Sequence, residues 1–190
     1  MRREGGATPN ALLGLLSLRP MSGYDIRQLI PQSIGHFWSE SYGQIYPALK
    51  RLEAAGLVRK KTERKKGSPD RNVYSLTAEG RERLREWLKL PVAEEVPRNE
   101  LLLKLFFGAH VSPRVNRERV QAYLELHLKK IQVYATIAKS LRKEKANDPQ
   151  LPFCLMTLSM GRHRSAAMVK WCEETLEELD RMERRQKGGT

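Results

Sequence analysis

The alternation of apolar and polar positions changes character twice along the chain. Through the first 56 residues apolar side chains recur at three- and four-residue steps. Ala11, Leu12, Leu15, Leu16 and Leu18 follow Thr8-Pro9; Tyr24, Ile26, Leu29 and Ile30 follow Ser22; Ile45, Leu49 and Leu52 follow Ser41-Tyr42-Gly43-Gln44. Each set sits behind a helix start signal: an N-cap with a first-turn proline, a serine cap, and a capping-box pattern. Three helices are expected, ending near Arg19-Pro20, at or around Pro31, and at Gly56. Pro47 conflicts with the third start, because its missing N–H removes one backbone bond. A kinked first turn or a start nearer Tyr46 would each resolve the conflict.

After Gly56 the period shortens to that of extended chain. Leu57 to Thr62 and Asn72 to Leu76 flank ERKKGSPDR, with Gly67, Ser68 and Pro69 at its tip, and predict a β-hairpin with a long basic loop. Thr77-Ala78-Glu79-Gly80 opens a fourth helix, with Leu84, Trp87 and Leu88 facing inward. LPVAEEVPRN, residues 90 to 99, sets two prolines around a pair of glutamates, so the domain boundary is expected there, with residues 91–98 as linker. Beyond it no strand pattern recurs. Asn99 caps a short helix through LLLKLFFGA, and Pro113 starts one running to about Ala146. Val120, Leu124, Leu128, Ile131, Ala135 and Ala138 form one apolar stripe on it, widened by Tyr123, Leu126, Val133 and Ile137. Asn147-Asp148-Pro149 makes the turn into a last helix of about residues 152 to 186, with Met168, Cys172, Leu176, Leu179 and Met182 inward. One short and two long helices cannot enclose a core, so a second copy of the chain is the simplest cover for their apolar stripes.

Charge narrows the partners. Thirty-five Lys and Arg against 22 Asp and Glu give +13 and a pI near 10.0. Residues 1–90 carry 17 basic and 9 acidic side chains, against 18 and 13 in residues 91–190. The first half is therefore the expected binder of a polyanion, either nucleic acid or an anionic membrane surface. No stretch has the 18 or so apolar residues of a spanning helix, and MRREGGATPN leads into no secretory pattern, so the chain reads as cytoplasmic and without a membrane partner. Cys154 and Cys172 share one predicted helix, too far apart to bridge, and read as small buried or half-buried thiols.

Catalytic and metal chemistry find little to build on. His36, His110, His127 and His163 show no HExxH spacing, the cysteines no CxxC, and no GxSxG, P-loop or dinucleotide fingerprint occurs. No enzyme activity, metal or cofactor is expected. His127 reads as a core or interface histidine, with an effector or pH-sensing role as the alternative. Phe153, Met156, Met160, Met168 and Trp171 could wrap a flat apolar ligand, and helix packing accounts for them equally well. Glu173, Glu174, Glu177, Glu178, Asp180 and Glu183 read as a solvated face or as partners for basic residues across a dimer.

The expected fold is mainly α with a small β-hairpin: a winged helix-turn-helix domain over residues 1–90, then an all-α dimerisation and effector domain over residues 99–190. In such a fold helix 3 enters the DNA major groove and the wing follows the adjacent backbone. Arg59, Lys60, Lys61, Arg64, Lys65 and Lys66 crowd the wing with only Glu63 opposing, and Arg71 closes its loop. With Ile45, Leu49 and Leu52 turned to the core, Ser41, Tyr42, Gln44, Tyr46, Lys50 and Arg51 lie on other faces. Gln44 could pair with adenine, while Lys50, Arg51 and the wing residues Lys65, Lys66 and Arg71 suit phosphate. A winged-helix adaptor that binds protein instead of DNA is the competing reading, and the basic wing argues against it.

These same residues carry a family resemblance. ALLGLLSLRPMSGYDI, FWSESYGQIYPALKRLEAAGLV and VYSLTAEGRERL, with the basic loop between the last two, resemble the DNA-binding domain of PadR-family transcriptional regulators over roughly the first 90 residues. The helical remainder resembles, in architecture alone, the C-terminal dimerisation region of the family's longer members. The resemblance implies a homodimer on a palindromic operator in double-stranded DNA, usually a repressor released by a small-molecule effector or another signal. It also implies that the helix carrying Tyr46-Pro47 is the recognition helix.

Overall fold

Leu12, Leu13, Leu15, Leu16 and Leu18 fall within seven residues, too dense a run for any periodicity to single out one face. In the computed structural model, which describes residues 7–38, 42–63, 70–92 and 98–188, this run lies on α1 (Ala7–Leu18), and its first four leucines are buried. Leu18, expected inward, is 55% exposed; Leu13 takes the inward position instead. The expected cap Thr8 stands inside α1, and Pro9 in its first turn has no intrahelical N–H to lose.

A two-residue strand, β1 (Met21–Ser22), then runs into α2 (Gly23–Gln32). Ser22 and Asp25 form a reciprocal capping box at the start of α2, and Pro31 stands one residue before its end. Tyr24 is exposed, while Ile26 and Ile30 are buried. Helix α3 (Tyr42–Ala54) carries Pro47 as its sixth residue without starting later at Tyr46. The carbonyl that loses its donor is that of Gly43, which is exposed and open to water. Gly56, with φ of +71°, closes the helix in the left-handed conformation that favours glycine.

The hairpin strands β2 (Val58–Glu63) and β3 (Arg71–Leu76) form an antiparallel sheet in the order β1-β3-β2. Val58 faces Leu76, Lys60 faces Tyr74 and Glu63 faces Arg71, while Met21 and Ser22 face Tyr74 and Val73. Strand β1 lay below what sequence could signal, since two residues cannot show a period of two. Helix α4 (Ala78–Lys89) starts where these elements meet. The Thr77 hydroxyl accepts from the Gly80 N–H at 3.0 Å and donates to the Gly56 carbonyl at 2.8 Å. A Cβ on Gly80 would lie 2.0 Å from the Leu57 carbonyl oxygen. Leu84 and Trp87 are half-buried, but Leu88, expected inward, is exposed. The core of this unit joins the α1 leucines to Met21, Ile26, Ile30, Ile45, Ala48, Leu49, Leu52, Val58, Tyr74 and Leu76.

Contacts divide the chain into residues 1–94 and 95–190, a break inside the 90–99 segment. The second unit holds α5 (Glu100–Phe106), a 3-10 turn at Gly108–His110, α6 (Pro113–Glu144) and α7 (Leu151–Gly188). The Asn99 side chain accepts from the Leu101 and Leu102 N–H groups, as expected of a cap. Helices α6 and α7 form an antiparallel pair whose facing buried positions repeat every seven residues, Val120, His127 and Tyr134 against Leu158, Ser165, Cys172 and Leu179, while the buried Asn116 of α6 donates to the Gly108 carbonyl. The expected α6 stripe is only partly covered within one chain. Val120 is buried and Leu124, Ile131 and Ala138 are half-buried, but Leu128 is 44% exposed, and Ala135, Leu126 and Val133 also face out. A stripe stepped at 3.6 residues drifts around the helix relative to a seven-residue seam. On α7, Cys172 and Leu179 are buried as expected, Met168 and Leu176 are half-buried, and Met182 is exposed.

Candidate nucleic-acid interface

Helix α3 is held by one face only. Ile45, Ala48, Leu49 and Leu52 are buried, and at about 100° per residue they leave the opposite surface free. Gln44 and Arg51 lie on one flank of that surface, Pro47 and Lys50 near its middle and Tyr46 on the other flank; all five are exposed. Tyr46 is also committed to packing. Its ring lies over Gly23, where an added Cβ would stand 2.6 Å from Tyr46 Cε1, so it ties α3 to the start of α2. Ser41 and the side chain of Tyr42 lie outside the described residues.

The wing root supplies the second surface. Strand alternation puts Val58 and Lys60 on one face of β2 and Arg59 and Lys61 on the other, and the register places Arg71 on the same face as Arg59 and Lys61. Arg59 and Lys61 are exposed. Lys60 instead pairs with Glu53 near the end of α3, at 3.4 Å. Arg71, expected to meet phosphate, donates to the Asp25 carboxylate on α2 in a close ion pair. That carboxylate oxygen also accepts from the Ser22 N–H and hydroxyl, both at 2.8 Å. Partial burial pushes the Asp25 carboxyl up, but the Ser22 hydrogen bonds and the Arg71 guanidinium outweigh it and hold the group below its ordinary value. Lys65 and Lys66 lie outside the described residues.

Two features of this surface escaped the sequence reading. Asp25 was legible only as a capping residue three positions after Ser22, because its partner is 46 residues away. Arg59 and Lys61 stood in the basic run, but only the strand register shows that they face out together.

The helical unit holds a buried polar pair. His127 is 5% exposed, its Nδ1 lies 3.1 Å from Ser165 Oγ, and its Nε2 is buried without a hydrogen-bond partner. Tyr123 meets the ring edge-on. Burial, then the nearby Lys130 and Arg164 charges, push the imidazole pKa down. The aromatic and Met set does not converge: Trp171 packs beside Val120 and Cys172, whereas Phe153, Met156 and Met160 are exposed. In the acidic cluster, Asp180 pairs with Arg117 of α6 at 2.7 Å, and Glu177 and Glu178 pair with Arg181. Among the described residues no group of three or more His, Cys, Asp or Glu side chains could hold a metal ion, and no helix is long and apolar enough to cross a membrane.

Known proteins match along the chain. Residues 12–86 match the transcriptional regulator PadR-like family, and residues 97–180 match the family described as virulence activator alpha C-term. The negative transcriptional regulator PadR of Bacillus subtilis is 29% identical over 177 residues, covering 90% of this chain and 96% of that protein. The crystal structure of that PadR with operator DNA is similar at a TM-score of 0.79 and 27% identity, covering 94% of this chain and 98% of the other. Its complex with p-coumaric acid is similar at 0.70 and 27% identity, over 94% and 98%. The Vibrio cholerae virulence activator AphA is similar at 0.70 and 30% identity, over 92% and 99%. A winged-helix unit with this wing, a long helical pair following it in the chain, and matches over residues 12–86 and 97–180 have one reading: the chain belongs to the PadR-like family of transcriptional regulators.

Proposed function

We propose that this chain is a homodimeric, sequence-specific DNA-binding regulator that represses transcription and releases its operator on a small-molecule or other signal. The observation that carries the reading is the outer face of α3, where Gln44, Lys50 and Arg51 are exposed, together with the exposed Arg59 and Lys61 of β2. Gln44, near the helix N-terminus, is suited to read a base edge; Lys50, Arg51, Arg59 and Lys61 are suited to phosphate. Ser41, Tyr42, Lys65 and Lys66 join this interface in the same reading. Bacillus subtilis PadR, crystallised with operator DNA and with p-coumaric acid, supports both the DNA partner and an effector for this chain.

The dimer rests on a separate observation. Phe153, Met156 and Met160 lie on the side of α7 turned away from its seam with α6, and Met160 is 66% exposed. An apolar strip there is suited to a second copy. Two DNA-binding units related by a two-fold axis would read a palindrome.

Salt titration of duplex binding tests the reading. Some 6 to 10 phosphate contacts should lower affinity about 10³- to 10⁵-fold between about 50 and 200 mM salt. Affinity independent of salt would refute it and favour a protein partner.

A further inference from the structure

The wing is fastened to the helix-turn-helix by an ion pair from each strand. Lys60 of β2 reaches Glu53 on α3, and Arg71 of β3 reaches Asp25 on α2. The second is the more deeply built. Ser22 is at once the last residue of β1, the partner of Val73 across the ladder, and the N-cap of α2. Its N–H and hydroxyl converge with the Arg71 guanidinium on one oxygen of Asp25. Glu63 stands directly across the hairpin from Arg71, yet the ion pair is made to Asp25. One carboxylate thus joins the start of α2, the edge strand and the root of the wing.

We propose that Asp25 is a positioning residue for DNA binding, and that Arg71 acts as the anchor of the wing and not as a phosphate contact. The proposal rests on the DNA-binding reading above. It makes a prediction opposite in sign to bulk electrostatics. Removing a carboxylate from a cationic DNA-facing surface should tighten binding; removing this one should weaken it, because the wing loses its fixed orientation.

The test uses the full chain and the variants Asp25→Asn, Asp25→Glu, Arg71→Gln and the double Asp25→Asn/Arg71→Gln. Duplex affinity is measured across a salt series, and backbone hydrogen exchange is followed without DNA. Asp25→Asn and Arg71→Gln are each expected to weaken binding by about three- to fivefold, the upper range of a partly exposed ion pair. The double variant should lose no more than either single, and Asp25→Glu, which can keep both the capping box and the ion pair, should restore binding to within about twofold. Exchange at Asn72 and Val73 should quicken equally in both single variants, while Ile45 and Leu49 stay protected. Arg71→Gln leaves the capping box intact and keeps the test open if Asp25→Asn misfolds.

If Asp25→Asn binds as tightly as the natural chain or tighter while Arg71→Gln weakens binding and lowers the salt slope by about 0.9, Arg71 is a phosphate contact and the proposal is overturned. Additive losses in the double variant, or unchanged exchange in β3, would overturn it too. A natural chain that binds no duplex would sink the DNA-binding reading alone, and the exchange measurement would still decide the anchor.

Discussion

Replacing His127 and Ser165 together by Leu and Ala should make the protein more stable and less sensitive to acid. The pair is the polar layer of an otherwise apolar seam, with Val120 and Cys172 on one side and Tyr134 and Leu158 on the other. Its two partners satisfy each other through Nδ1, but the buried Nε2 has none, at a cost of about 1–3 kcal/mol for an unmet polar atom. Acidity adds to this. In the folded chain the imidazole pKa is depressed by burial and by Lys130 and Arg164, whereas in the unfolded chain it is about 6.5. Around and below that pH the unfolded state takes up a proton more readily than the folded state, so stability present at pH 8 drains away on acidification. Urea unfolding at pH 8 and 5.5, at fixed protein concentration, measures both effects. The double variant should gain about 1–3 kcal/mol at pH 8, and its advantage should widen at pH 5.5. The single variant His127→Leu should fall short of it, because the Ser165 hydroxyl is then buried without its imidazole partner. An advantage that does not change with pH, or a double variant less stable than the natural chain at pH 8, would refute the reasoning.

Three further outcomes are expected. Gln44→Ala should cost about 1–3 kcal/mol at the preferred operator and far less on random duplex, with stability changed by no more than about 0.5 kcal/mol; Leu49→Ala should instead cost about 2–5 kcal/mol of stability and lower all binding together. Gly80→Ala should destabilise the first unit by at least about 3 kcal/mol in thermal unfolding, since the new methyl would stand 2.0 Å from the Leu57 carbonyl oxygen; a melting temperature within a degree of the natural one would show that this junction yields easily. Met156→Glu/Met160→Glu should sediment as a folded monomer, and an unchanged dimer would place the self-association surface elsewhere.

The helices of the first unit were legible because caps and breakers are local. Ser22, Thr77 and Asn99 all cap where the sequence said they would, and Gly56 stops α3. What failed was the choice of face where composition was too uniform or the partner too remote. Five leucines in seven residues gave α1 no preferred side, and Leu18 went outward. In α6 the stripe was drawn from apolar residues at the step of an isolated helix, but the true seam is set by α7, which runs back along it and repeats every seven residues. A seam of that period passes through His127 and not through Leu128, and only the facing helix can impose it.

The charge of the first unit is a sum, and a sum does not assign its cations. A count of cations identifies a polyanion binder, but it treats each Lys and Arg as equally available. The fold does not: Lys60 and Arg71 are engaged by Glu53 and Asp25, while Arg59, Lys61, Lys50 and Arg51 are exposed. The distinction depends on strand register, because side chains one residue apart on β2 point to opposite faces and meet different neighbours. A salt slope reports phosphates neutralised, not cations present. Neutralising Arg59 or Lys61 should therefore each lower the slope by about 0.9 and weaken all duplexes alike. A Lys60→Gln chain should keep the slope; if its slope fell as far as that of Lys61→Gln, the pairing to Glu53 would be too weak to withhold a cation from DNA, and the sorting of the wing into anchors and contacts would fail at that residue.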